Sequence, residues 1–304
     1  MPDTPSGHPL MADATAATGA IDVHVHVATG DALHHATERA AAQAAAAQAY
    51  FRAARLHVPP DEVADHYRRL GLRAVIFDVD QEARTGMRSS NDDIAAAVRR
   101  HPDVFIGFGS VDPNRGQAAI DETRRCVEEL GLKGMKFHPG VQAFAPNHQR
   151  FYPLWETCSR LKVPAIFHSG MSGIGAGTPG GGGIRLKYTQ PLLLDDVGVD
   201  FPELAIIVAH PSWPWQEEAL AMARHKANIY IDLSGWAPKY FPASLVQQAN
   251  SLLQDKCLFG SDYPLIPTER WLREFAELPL KDEVRPKILR TNAERLLGLA
   301  SSGG

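Results

Sequence analysis

The stretch IDVHVHV, residues 21–27, alternates like a strand and carries His24 and His26 one pleat apart on the same face. A lone His-x-His of this kind is ordinarily a pair of satisfied core histidines. What else the chain brings to that face decides the matter. Four further apolar runs close on side chains that can do chemistry. LKGMKFHP carries Lys136 and His138, VPAIFHSG reaches His168, LAIIVAHP reaches His210 and CLFGSDYP holds Asp262. Five of the thirteen histidines thus fall at strand ends. A neutral imidazole offers one lone pair, and a carboxylate adds charge and a hard oxygen. Three imidazoles and a carboxylate on one rim can hold a divalent ion with a position left open.

Positioning such a set requires strands that end together. Eight strand-like runs are predicted at 20–27, 72–80, 104–112, 132–139, 163–170, 204–211, 228–235 and 257–264. Helical patterns lie between them at 60–71, 90–102, 114–131, 152–162, 192–202 and 214–226, then at 243–256, 270–280 and 283–299. Near-continuous apolar strands alternating with helices predict an α/β fold, a (β/α)8 TIM barrel over 20–299. Residues 1–19, rich in small residues, Pro and Asp, are expected to form a disordered arm, and 300–304 a tail. Two segments exceed what a connection needs: 28–59, with an Ala-rich helix, and 171–191, after the fifth strand. Both would overhang the C-terminal rim, where barrel active sites lie.

Composition narrows the partners. The 304 residues carry a net charge of -4 with 22% charged residues and no long run of either sign, which disfavours nucleic acid and anionic membranes. No run reaches the length of a membrane span. Cys126, Cys158 and Cys257 are odd in number and far apart, and are expected as reduced core residues of a cytoplasmic protein. The expected partner is a small molecule; a homo-oligomer is compatible with this composition.

The His-x-His strand, IFHSG, VAHPSWPW, LFGSDYP and the closing TNAERLLGL together resemble the amidohydrolase superfamily. Within it the chain is similar to the branch of aminocarboxymuconate-semialdehyde decarboxylase, from about Gly19 to Leu299. The resemblance implies one zinc ion held by His24, His26, His168 and Asp262, with His210 catalytic. Lys136 is open to three readings. It bridges a second metal as a carboxylated lysine, it contacts an anionic or carbonyl group of the substrate together with His138, or it is a rim lysine. Substrate contact is favoured. Downstream, SGIGAGTPGGGGIRLKY, followed by LDDVGVDFPELAIIVAHPSWPWQEEALAMARHKANIYIDLSGWAPKYFP, resembles the 4-hydroxyphenyl-beta-ketoacyl-CoA hydrolase subgroup.

In that loop, GAGTPG matches the dinucleotide fingerprint only formally, because Pro179 and further glycines follow where a helix should open. Arg185 and Lys187 are candidates to bind a phosphate or carboxylate of the substrate, with solvated loop charges the favoured alternative. Trp213, with Trp215 and Trp236, would wall an aromatic substrate or simply pack.

The expected function is therefore hydrolytic carbon–carbon cleavage of an aryl beta-ketoacyl-CoA by metal-bound hydroxide. Asp262 would take the proton from water and His210 would polarise the carbonyl or protonate the leaving group. The alternative is non-oxidative decarboxylation of an aromatic or enoic acid on the same cage. A metal-stabilised binding module fits less well, since structural zinc prefers a closed, Cys-rich shell.

Overall fold

The computed structural model describes residues 19–30, 45–50, 55–56, 58–82, 86 and 88–299. The expected arm (Gly19 apart), the tail and most of the Ala-rich segment fall outside the described residues; within that segment, 45–50 is helical.

The strands are β1 (Ile21–His26), β2 (Arg73–Phe77), β3 (Phe105–Gly107), β4 (Gly109–Ser110), β5 (Met135–Phe137), β6 (Ala165–His168), β7 (Ile206–Ala209), β8 (Ile229–Asp232) and β9 (Cys257–Leu258). β1 to β3 and β4 to β9 each pair in parallel in chain order. β3 and β4 are two halves of one barrel strand: Phe108 N donates to Ile76 O and Gly109 N to Gly134 O. The ring closes where Val23 N donates to Phe259 O at 2.9 Å and His26 N to Tyr263 O at 2.8 Å. The eight-stranded barrel expected from the periodicity is the observed fold.

The helices α1 (Pro60–Leu70), α2 (Asn91–Arg100), α3 (Gln117–Glu128), α4 (Tyr152–Arg160), α5 (Leu193–Asp200), α6 (Gln216–His225), α7 (Ala243–Ala249), α8 (Thr268–Ala276) and α9 (Asn292–Leu296) follow the expected order. Local chemistry fixes their ends. α1 opens on Pro60 with Asp61 and Glu62 in its first turn and Arg68 and Arg69 in its last, matching the helix dipole. Ser90 caps α2 by accepting from Asp93 N. The helix expected over 243–256 stops at Ala249. Beyond it the chain continues in turns, Leu253 N bonding to Gln248 O and Cys257 N to Leu253 O, while Asn292 donates to the carbonyls of Gln254 and Cys257.

Two apolar layers hold the barrel. Ile21, Val23, Val75, Phe77, Ile166 and Ile207 fill its lumen, and Ala293 of α9 packs against that cluster. The other strand face, with Ala74, Ile76, Phe137, Phe167 and Val208, packs against Tyr67, Ile94 and Trp155 of the helices. β1 breaks its alternation to serve both. Its register slips between Asp22 and Val25, three steps on β1 opposing two on β2. Strict alternation would place Asp22 on the face of His24 and His26. The bulge sends it to the helix side instead, where Tyr67 donates to it at 2.7 Å.

The 171–191 insertion is tied at its base. Gly170 N donates to Thr189 O at 2.8 Å and Met171 N to Trp213 O at 2.7 Å. Its interior forms short 3-10 turns, Pro179–Gly183 and Leu186–Thr189, and no α-helix opens after GAGTPG. Among the described residues, no helix is long and apolar enough to cross a membrane. The three cysteines are free and buried.

Candidate active site

Side chains from β1, β5, β6, β7, β8 and the turn after β9 converge on the lumen at the strand tips. One ligand atom from each of His24, His26 and Asp262 lies within 4.8 Å of the others. Asp262 Oδ1 stands 3.5 Å from His24 Nε2 and 3.3 Å from His26 Nε2. His24 is fully buried, whereas the His26 side chain is 28% exposed and opens the cluster on one side. His168 is buried, and its Nε2 has no hydrogen-bond partner. A buried imidazole nitrogen without a partner is costly unless something binds it. The nitrogen-rich set with one carboxylate, plus this orphan atom, fits a divalent cation. His24, His26 and Asp262 are brought together as expected; His168 lies outside that tight trio.

Two of these residues reach the cluster through unusual backbone. Ala209 faces the lumen, so continued alternation would turn His210 outward. His210 instead has φ 74, left-handed, and its ring lies 4.9 Å from that of His24 and 4.7 Å from that of His168. Asp262 has φ 65, and its N donates to His24 O at 3.0 Å. Non-glycine residues held this way store roughly 1–3 kcal/mol each and cluster at functional sites.

Lys136 is buried in the lumen, with Nζ 2.9 Å from His24 Nε2 and 4.7 Å from the centre of the Phe77 ring. His138 stacks on His168 at 3.8 Å, and its Nδ1 accepts from Val141 N, capping the helical turn Pro139–Gln142.

Burial sets the electrostatics. It pushes His24, His138 and His168 well below the ordinary imidazole range, with Lys136 adding to the effect on each, and it also lowers His210. The Lys136 ammonium is pushed down to about 8 by burial, opposed by Asp232 and Asp262. Burial acts to raise Asp262. The hydrogen bond from His26 and the field of His24 and His210 outweigh it and hold this carboxyl well below the usual range. Neutral imidazoles and an ionised carboxylate are the forms that bind a cation.

Two residues of the site escaped the sequence reading: Asp232 and Ser234, in IYIDLSG. Asp232 Oδ2 lies 2.5 Å from His24 Nδ1, and Ser234 Oγ lies 2.9 Å from His210 Nδ1. The available signal was an acid at the seventh strand tip, level with the other polar ends. Among the substrate-binding candidates, Arg185 and Lys187 are exposed, the latter over the Tyr188 ring at 5.4 Å. Trp213 is 46% exposed, 6.2 Å from Trp236, in a cleft of about 80 Å³ lined also by Pro211 and Tyr240.

The barrel and the His/Asp cluster at its strand tips define a member of the amidohydrolase class. The Amidohydrolase family profile matches residues 21–299, and the chain belongs to that family of enzymes. It is 24% identical over 250 residues to the gamma-resorcylate decarboxylase of a Rhizobium strain, covering 70% of this chain and 76% of that protein. A shorter match, 35% over 78 residues, links it to the 2-amino-3-carboxymuconate-6-semialdehyde decarboxylase of Dictyostelium discoideum. That match spans 26% of this chain and 22% of the relative. An uncharacterised TIM-barrel protein of Bordetella bronchiseptica superposes with a TM-score of 0.74 at 26% identity, covering 92% of this chain and 99% of the other.

These relatives overturn the expected hydrolysis of an aryl beta-ketoacyl-CoA: both enzymes named are decarboxylases. The physical reason is that the cage itself serves either reaction. The thioester reading rested on the likeness of the glycine loop and the stretch after it, and the loop's cations, Arg185 and Lys187, lie exposed on the insertion. The CoA partner goes with it.

Proposed function

We propose that the protein is a metal-dependent, non-oxidative decarboxylase of an aromatic or enoic acid. The observation that carries this reading is the buried cluster of His24, His26 and Asp262 with the Lys136 ammonium against it. It lies in a chain that aligns with a decarboxylase over 70% of its length. His24, His26, His168 and Asp262 hold one ion, and three nitrogens with one carboxylate suit zinc. Such an ion supplies Lewis acidity toward the oxygens of the acid. Lys136 and His138 contact those oxygens, and Trp213 walls the ring. In the reaction the bond to the carboxylate carbon breaks and carbon dioxide leaves. The electron pair stays on the substrate carbon and a proton arrives there. His210, tied to Ser234 through Nδ1 and to His168 through Nε2, is the group assigned to move that proton.

The test is turnover of the zinc- or manganese-loaded protein in deuterium oxide against a panel of hydroxybenzoic acids and carboxylated muconate semialdehydes. Carbon dioxide release with one solvent deuteron placed at the vacated carbon supports the reading. Loss of substrate without carbon dioxide, or a product heavier by one water, overturns it.

A further inference from the structure

Asp232 and Ser234, which the proposed reaction does not use, lie on a hydrogen-bonded chain that meets the cage at both ends. Asp232 Oδ2 is 2.5 Å from His24 Nδ1 and 2.9 Å from Ser234 Oγ. Ser234 Oγ is 2.9 Å from His210 Nδ1, and His210 Nε2 is 2.9 Å from His168 Nδ1. Protons along such a chain can be counted. An ionised carboxylate only accepts, a hydroxyl donates one hydrogen, and a neutral imidazole donates at one nitrogen and accepts at the other. Asp232 therefore receives the His24 Nδ1 hydrogen and the Ser234 hydroxyl hydrogen. With its hydrogen committed, Ser234 Oγ accepts from His210 Nδ1. His210 Nε2 is then a lone pair, and it accepts from His168 Nδ1. The count leaves one bare lone pair on His24 Nε2 and one on His168 Nε2. Both ends agree with it. The Lys136 ammonium, which only donates, faces His24 Nε2, and His168 Nε2 is buried without a partner.

We infer that Asp232 and Ser234 are positioning residues that set the tautomers of His24 and His168 before any ion arrives. Asp232 acts on His24 directly and on His168 through Ser234 and His210. Packing holds the chain in register. A Cβ on Gly260 would stand 2.1 Å from Asp232 Oδ1, and one on Gly235 would stand 2.4 Å from His210 Nδ1. A side chain at either glycine would dislodge a member of the relay. Partners behind a ligating histidine ordinarily serve one ligand each; here a single carboxylate serves two on different strands.

The inference takes His24 and His168 as ligands from the proposed function, and its readout does not depend on which reaction the loaded enzyme runs. The decisive measurement is a long-range nitrogen–proton correlation spectrum of the full chain freed of metal by chelation. His24 and His168 signals are assigned by their loss in His24→Asn and His168→Asn. Both rings are expected as the Nδ1–H tautomer; an Nε2–H tautomer on either ring overturns the relay. Ser234→Ala cuts only the longer arm. It should release the His168 tautomer, keep that of His24 and weaken zinc binding on the order of 10- to 100-fold by competition titration. Ser234→Thr keeps the hydroxyl and should restore both. Unchanged His168 tautomer and zinc affinity in Ser234→Ala would also refute it.

Discussion

Two parts of the same rim behave oppositely. At the strand tips, polar side chains from five strands and one turn are bound to each other and, His26 apart, buried; a single buried orphan, His168 Nε2, remains among the cage side chains described. In the 171–191 insertion, the base is tied by backbone bonds, while Arg185 and Lys187 stand in solvent. Yet the insertion carried the more specific-looking sequence marks, the dinucleotide-like GAGTPG and the subgroup resemblance. Burial is what separates the two. A desolvated charge or lone pair must find a partner, so a buried cluster constrains its own chemistry, while exposed loop charges are satisfied by water.

The sharpest way to break this contrast is at its buried end. His24→Ala should lose the ion and reduce turnover to background. It also strips the buried Asp232 carboxylate of a hydrogen-bond donor, a change that costs roughly 1–3 kcal/mol of stability. Elemental analysis and denaturant unfolding read both, and full metal retention would remove His24 from the cage. Less drastic is His210→Asn. It should weaken zinc binding about as much as Ser234→Ala does, hold its ion at saturating metal, and lower kcat of the metal-saturated protein on the order of a hundredfold, the usual scale for lost proton transfer or polarisation. Failure to bind zinc even at saturating metal would instead make His210 a ligand.

Asp80, at the tip of the second strand, sharpens the role of burial without touching the cage. Burial raises its carboxyl from 3.8 to about 6, against hydrogen bonds from Glu82 N and Asp112 N. A folded-state value above the unfolded one means that its contribution to stability is complete below about pH 4 and is lost as pH rises through 6. Asp80→Asn should flatten that fall, by about 1–3 kcal/mol between pH 4 and 7 in paired unfolding curves. Parallel curves would show that Asp80 titrates normally. The smallest effect belongs to the insertion. Arg185→Ala with Lys187→Ala should leave zinc content, stability and kcat within about twofold, as surface changes do. A large loss of turnover would make the loop part of the site.

Much of this was legible before any coordinates. Alternation and capping residues located the strands and most helices, and polar residues ending apolar strands picked out His24, His26, His168, His210 and Asp262. The shortened α7 was not legible, because the turns after Ala249 are held from α9, where Asn292 bonds Gln254 O and Cys257 O across 38 and 35 residues. Asp232 was passed over because a single acid after IYI looks like any strand end until His24 is seen against it. The hydrolase expectation rested on the likeness of the glycine loop and the stretch after it, whereas the ligands themselves do not distinguish the two reactions.

The sequence by itself determined the barrel, since strand and helix periods, strand count and apolar faces are local properties summed along the chain. It also determined which residue types gather at the rim, because barrel topology places every strand end there. Only the tertiary structure decided how they face. The bulge in β1 separates Asp22 from the two histidines, and the left-handed backbone at His210 turns its ring back toward His168. The bond from Asp232 to His24 joins residues 208 positions apart. Such choices arise from close packing and from pairing buried polar groups, and both depend on neighbours that only the closed barrel brings within reach.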